Sequence, residues 1–306
     1  MIGRPPARIT FLGFGLIGGS IAKALGAEGP GGHEPEPGLR PYLSAWTPTG
    51  HGPAQATADG VIDQAAQSIP EALDGADLVV IGAPALDAIS LVERLGADLA
   101  THLAPGAVVT DVTSTKRAIT EAAARSGLPF IGGHPMAGRE TRGYEAAVAG
   151  LFVNRPWVIV VPEGTPAGTA DPVRWLAAQC GARPIEMSAA DHDAATAAVS
   201  HLPLVAAAAL VDAVHGGGGE AWSMARSVAS SGWASATRLA LGDPRMGAGI
   251  LATNSAEVAA GVRAFRAALD AWLAELERPD GPDADALERR LAAARAILEP
   301  GADDAR

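Results

Sequence analysis

A doubly wound, mostly parallel α/β sheet followed by an all-helical region is the fold class this sequence predicts, on three observations. A glycine-rich turn joins a short apolar run to a helix-spaced segment over residues 8–25. Apolar β-type runs then alternate with helix-period segments as far as about residue 161. That order implies parallel strands, right-handed crossovers and a ligand crevice at the strands' carboxyl ends. Beyond the Pro162-Glu163-Gly164-Thr165-Pro166-Ala167-Gly168 loop, only helical periodicity is visible.

The first element is Arg8-Ile9-Thr10-Phe11-Leu12, which meets Gly13-Phe14-Gly15-Leu16-Ile17-Gly18-Gly19-Ser20. Gly13 permits a tight turn, Gly15 lets backbone approach a pyrophosphate, and Gly18 lets the helix pack on its own strand. The helix start, with Leu16 and Ile17, presents unpaired N–H groups to phosphates. A strand before the motif and a helix after it favour a Rossmann dinucleotide site over a purely steric turn. Residues 28–38, rich in proline and glycine, read as a surface loop. Tyr42-Leu43-Ser44-Ala45-Trp46 reads as the second strand. At its end, where a carboxylate often binds the ribose 2′-OH, stands Thr47, so NAD and NADP are both admitted; Arg40 and His51 nearby read as solvated loop residues.

Asp77 to Ile81 reads as a central strand whose end, with Ala83 and Pro84, faces the cofactor. A helix is expected over about 86–100, and strands at Ala107-Val108-Val109-Thr110-Asp111, Phe130-Ile131-Gly132 and Trp157 to Val161. Helices are expected at 173–181, 190–215, 220–241, 246–277 and 283–298, with His215-Gly216-Gly217-Gly218-Gly219 as a break. The division is placed near residue 165, giving a dinucleotide-binding part, 1–165, and a helical part, 166–306.

The chain has 306 residues and a formal net charge of −11, which disfavours nucleic-acid or anionic-membrane surfaces and favours small-molecule chemistry. Cys180 is the one cysteine, so there is no intrachain disulfide, and it reads as a small buried residue. No leader-like segment or span-length apolar run is read, and a cytoplasmic location is expected.

Three stretches fall where a crevice-lining residue belongs: Asp111-Val112-Thr113-Ser114-Thr115-Lys116, Gly132-Gly133-His134-Pro135-Met136-Ala137-Gly138-Arg139-Glu140 and Ser200-His201-Leu202-Pro203. His134, bracketed by glycines and a proline, is expected on a rigid loop, and an imidazole titrating near ~6.5 suits proton transfer. Ser114 or Thr115 is expected to cap the following helix, with Ser114 also facing the crevice. Lys116 reads as a solvated first-turn lysine and His201 as a histidine on a helix. Arg238 sits among small and apolar residues, where its guanidinium needs an anion such as a substrate carboxylate.

Together these stretches, with Thr237-Arg238, resemble the prephenate/arogenate dehydrogenase family of tyrosine biosynthesis, from about Arg8 to Met246. The resemblance implies a Rossmann domain followed by a helical domain that forms a homodimer. It also implies NAD(P)-dependent oxidative decarboxylation of prephenate or arogenate. By the same resemblance His134 is the base for the ring hydroxyl, Ser114 supports it, Arg238 holds a substrate carboxylate, His201 lines the substrate cleft, and Glu140 is a gating acid. Ala234, where relatives often carry lysine, and Gly247, where many carry tryptophan, depart from the pattern and leave the two substrates open. A β-hydroxyacid dehydrogenase would need a lysine in its second domain, and none follows Lys116. A non-catalytic dinucleotide sensor would bind cofactor without needing His134.

Overall fold

The computed structural model describes residues 5–26, 40–139, 141–216 and 218–299. Glu140 and the stretch at 28–38 lie outside them. Among the described residues one sheet carries eight strands: β1 (Arg8–Leu12), β2 (Tyr42–Trp46), β3 (Gln64–Ala65), β4 (Ala76–Ile81), β5 (Leu103–Asp111), β6 (Phe130–Pro135), β7 (Pro156–Val160) and β8 (Arg183–Glu186). Their order is β3-β2-β1-β4-β5-β6-β7-β8. Strands β1 to β6 run parallel, β7 is antiparallel to β6, and β8 is parallel to β7. The order 3-2-1-4-5-6 is that of the doubly wound dinucleotide fold, whose strand order reverses between β1 and β4.

Helices α1 (Leu16–Gly26), α2 (His51–Ala58), α3 (Ile69–Leu73), α4 (Ala85–Arg94) and α5 (Arg117–Arg125) link the parallel strands, and α6 (Asp171–Gln179) links β7 to β8. Strands β1 and β4 are apolar on both faces because helices cover both, giving two buried clusters. One gathers Ile9, Phe11, Ile21, Leu43, Val80 and Trp157; the other gathers Leu12, Val79, Ile81, Val92, Leu95 and Ile119. Cys180 is fully buried in the first, as expected.

Strand β8 corrects the expectation that no strand follows the 162–168 loop. Its sequence, Arg183-Pro184-Ile185-Glu186, is largely exposed, and an edge strand of that kind shows no apolar run.

The helices that follow are α7 (Ala189–Thr196), α8 (Leu202–His215), α9 (Gly219–Ser227), α10 (Ser231–Thr237), α11 (Pro244–Thr253), α12 (Ser255–Leu276) and α13 (Ala284–Leu298). Between α7 and α8, residues Ala197–His201 form a widened π-type turn. Pro203 lacks an N–H and its ring clashes with the carbonyl four residues back, so the turn loosens just before it. The segment Ala189–His215 is 27 residues of helix, long and apolar enough to cross a membrane by length and composition, which corrects the expectation that no such run exists. The expected helices at 220–241 and 246–277 are each interrupted, at 228–230 and at Asn254.

The described chain divides into two units, Met1–Val258 and Ala259–Arg306. Within the second, Arg290 of α13 donates to the Ala271 and Ala268 carbonyls of α12 at 2.9 and 3.3 Å and lies 4.4 Å over the Trp272 ring. Val262, Phe265, Leu269, Leu273 and Leu276 of α12 recur at three- and four-residue spacing and are all exposed.

Candidate active site

At the end of β1, Gly13 adopts a φ of +94°, and a Cβ there would lie 2.6 Å from the Gly82 carbonyl carbon, so the turn fits tightly against the end of β4. A Cβ on Gly18 would meet the Gly13 oxygen at 3.2 Å, which is the close helix-to-strand approach expected of it. A Cβ on Gly15 would meet nothing within 4 Å. The room lies above Gly15, where α1 begins with its first N–H groups outside the helical ladder. A dinucleotide pyrophosphate fits this cradle in the way the motif requires. Thr47 follows β2, and its hydroxyl accepts from Gly50 N at 3.0 Å. Ala83 and Pro84 lie between β4 and α4, with Pro84 exposed at the helix start. Of the two basic residues nearby, Arg40 is paired with Asp63, and exposed His51 lies 3.1 Å from Glu145.

Beyond β4 in the sheet, the ends of β5 and β6 carry a buried polar centre. Asp111, fully buried, accepts Gly133 N at 3.0 Å and Thr113 N at 2.9 Å, and bonds the Thr113 hydroxyl and Lys116 Nζ. Lys116 is fully buried as well, correcting its reading as a solvated lysine, and burial pushes its pKa down while Asp111 pulls it back up. This ion pair fixes the Asp111 to Lys116 loop, which carries Ser114, against β6.

His134 stands on β6 itself, paired with Val158 of β7, rather than on the loop expected from its glycines and proline. The residue is partly exposed. Nδ1 lies 2.8 Å from His192 Nε2, and His192 Nδ1 lies 2.8 Å from Asp193 Oδ1. Burial, reinforced by the basic groups of His192, Lys116 and His201, holds the His134 pKa well below the ordinary histidine value.

Neither Ser114 nor Thr115 caps α5. The capping carboxylate is Asp193, which accepts Lys116 N at 2.7 Å and Arg117 N at 2.9 Å. Burial alone would raise the Asp193 pKa, but bonds from His192, Arg117 and Lys116 overcome it and hold the group below its usual value. Thr115 instead meets the Thr253 hydroxyl at 2.8 Å.

His201, in the π-type turn, is 1% exposed. Asn254 donates to the Asp193 carbonyl at 2.8 Å, which orients its amide so that the same nitrogen faces His201 Nδ1 at 3.2 Å. The proton of neutral His201 therefore sits on Nε2, a buried atom without a protein partner among the described residues. Such a donor suits a ligand oxygen. Burial also lowers the His201 pKa. Arg238, expected among small and apolar neighbours, is exposed, at the start of a short turn that packs on α8. Among the described residues no group of histidine, cysteine and carboxylate side chains is arranged to hold a metal.

The family model described as "Prephenate dehydrogenase, nucleotide-binding domain" matches residues 49–186, and "Prephenate dehydrogenase, dimerization domain" matches 188–292. The chain belongs to the prephenate dehydrogenase family. It is similar to the prephenate dehydrogenase of Bacillus subtilis, with 29% identity over 88% of this chain and 68% of that one. Among solved structures, Synechocystis arogenate dehydrogenase shares 30% identity, covers 95% of this chain and 99% of its own, and superposes with a TM-score of 0.74. A prephenate dehydrogenase from Aquifex aeolicus, in complex with hydroxyphenyl propionate and NAD+, shares the fold at 22% identity and a TM-score of 0.80, over 95% and 98% of the two chains. The two family models meet beside Glu186, the last residue of β8.

Sequence reasoning found His134 and His201 but missed His192, Asp193 and the buried state of Lys116. The run Asp191-His192-Asp193, ahead of Ser200-His201 on one apolar helix, was the signal available: three ionisable residues in a segment that otherwise favours small apolar ones.

Proposed function

We propose that this chain is a cytoplasmic NAD(P)-dependent dehydrogenase of prephenate or arogenate in tyrosine biosynthesis, acting as a homodimer. The observation that carries the reading is His134: a half-buried residue at the carboxyl edge of β6, its ring held through Nδ1, with a pKa lowered by burial so that it stands unprotonated and able to accept a proton. NAD(P)+ on the glycine cradle supplies a hydride acceptor. His134 removes the proton of the ring hydroxyl as the carbonyl develops. When the ring carboxylate leaves as CO2, its electrons return to that oxygen, which takes the proton back as the ring becomes aromatic. The base is thus a temporary holder, and no proton is released overall.

In this reading Gly13, Gly15, Leu16, Ile17 and Gly18 carry the pyrophosphate, with Thr47, Ala83 and Pro84 along the rest of the dinucleotide. Ser114 supports the hydroxyl, His201 Nε2 donates to substrate, and Arg238 binds a substrate carboxylate, with Glu140 a gate. The dinucleotide-binding part is taken to reach Glu186, past the division first placed at residue 165, because β8 belongs to the same sheet. The spaced apolar side chains of α12 and the apolar helix Ala189–His215 are assigned to subunit contact instead of lipid, in keeping with the dimerization model that covers both.

The test is turnover of prephenate and of arogenate, each with NAD and with NADP, read by absorbance of the reduced nicotinamide. Absence of turnover in all four pairings overturns the activity. His134→Ala is expected to lose about 10²–10⁴-fold in kcat with cofactor affinity intact; turnover near the wild-type rate removes His134 from the role of base.

A further inference from the structure

We propose that His192 and Asp193 form with His134 a directed hydrogen-bond chain that selects Nε2 of His134 as the basic nitrogen, making His192 a positioning residue of the reaction. The inference rests on His134 being the base. Asp193 is 1% exposed and clamped by two backbone donors, Lys116 N at 2.7 Å and Arg117 N at 2.9 Å. Its negative charge sits at the start of α5, where the helix dipole favours an anion. An ionised carboxylate only accepts, so the 2.8 Å contact from His192 requires the proton to lie on His192 Nδ1.

A neutral imidazole has one N–H, so His192 Nε2 is then an acceptor. The 2.8 Å contact between that atom and His134 Nδ1 makes His134 the donor. The proton of neutral His134 is used in this bond, and Nε2 is left as a bare lone pair. Reversal of any one bond would place hydrogen on Nε2 and abolish the base. His192 is fully buried, so water offers its ring no alternative partner. Its helix holds it further: His192 N donates to Ser188 O at 3.0 Å, and the Thr196 hydroxyl donates to His192 O at 2.9 Å.

The chain also gives the proton somewhere to go. When the O–H bond of the substrate breaks and a bond to His134 Nε2 forms, the Nδ1 proton of His134 can pass to His192 Nε2. That leaves His134 neutral and His192 positive beside Asp193. Reversal of both transfers returns the proton to the phenol oxygen, so no other reactant is needed.

Two measurements test the chain. In His192→Gln, kcat is expected to fall about 10²-fold while KM and the Kd for NAD(P)H stay within about twofold, since the missing group acts only on proton transfer. In the wild-type enzyme labelled with 15N-histidine, long-range spectra assigned with His134→Gln and His192→Gln are expected to show His134 protonated at Nδ1 and bare at Nε2, and His192 protonated at Nδ1. A kcat within about threefold of wild type in His192→Gln, or His134 protonated at Nε2, overturns the proposal. If His192→Gln does not fold, the wild-type spectrum decides alone. An active His134→Ala would sink the parent reading; an inactive His134→Ala beside a fully active His192→Gln would sink only the chain.

Discussion

Replacing Lys116 by Met probes the centre that holds the crevice edge together. The aliphatic stem of Lys116 lies against Gly132, where an added Cβ would stand 3.1 Å from its Cδ, and Met preserves that stem. What is lost is the ammonium facing Asp111. Both side chains are 0% exposed, so no solvent can replace it. Asp111 keeps Gly133 N, Thr113 N and the Thr113 hydroxyl but carries an uncompensated buried charge. Removing one partner of a buried pair costs about 3–5 kcal/mol. The unfolding constant should therefore rise by roughly 10²–10⁴-fold, measured by urea unfolding at fixed protein concentration with an unchanged m-value. Adding Asp111→Asn removes the stranded charge and should recover more than half of the loss, as neutral replacements of a buried pair often do. A single-variant cost under about 1 kcal/mol, or a double variant no more stable than the single one, would refute the assignment of Lys116 as the counter-ion of Asp111.

Other expectations concern the cradle, the bases and the thiol. Gly15→Val should leave thermal stability unchanged, because no protein atom lies within 4 Å of its Cβ, yet weaken NAD(P)H binding at least tenfold by fluorescence titration. Gly13→Ala, forced to a φ of +94° with a Cβ 2.6 Å from backbone, should lower the melting temperature as well. The acid limb of kcat/KM should lie below the ordinary histidine pKa of about 6.5, because burial lowers His134 first and foremost. The same depressed value means the unfolded chain takes up protons before the folded one does. Stability should therefore be fully present above about 6.5 and decline as pH falls toward the folded value, in chemical denaturation across that range. A limb at or above 6.5 contradicts the assigned environment. Cys180, buried and with its thiol pushed far up by desolvation, should resist a thiol reagent until the protein is unfolded.

Much of the sheet could be read from local pattern. Tyr42 to Trp46 forms β2 as expected, and Gly13 and Gly18 show the tight turn and the close helix approach assigned to them. Strand β8 escaped because an exposed edge strand with one proline and two charges has no buried face to reveal it. The break at Asn254 escaped because no glycine or proline marks it; its amide is committed to Asp193 O and His201, contacts more than fifty residues away. Lys116 and Asp193 escaped for a related reason. Whether a charge is solvated or enclosed depends on what folds over it, and Asp193 reaches α5 across 77 residues of sequence. His134 was recognised by its neighbours in sequence, but strand β7, which fixes its orientation, lies 24 residues further on, at Val158.

The grip of Asp193 on the first turn of α5 has a mechanical side. Its oxygens are shared between two main-chain amides and an imidazole, and its own carbonyl is bonded by Asn254. Pulling α7 away from α5 would strand an anion and two amide hydrogens in a dry interior at once. The floor beneath the base is therefore stiff. Whatever opening lets substrate in and product out must bend the chain somewhere else, leaving this corner to travel as one piece.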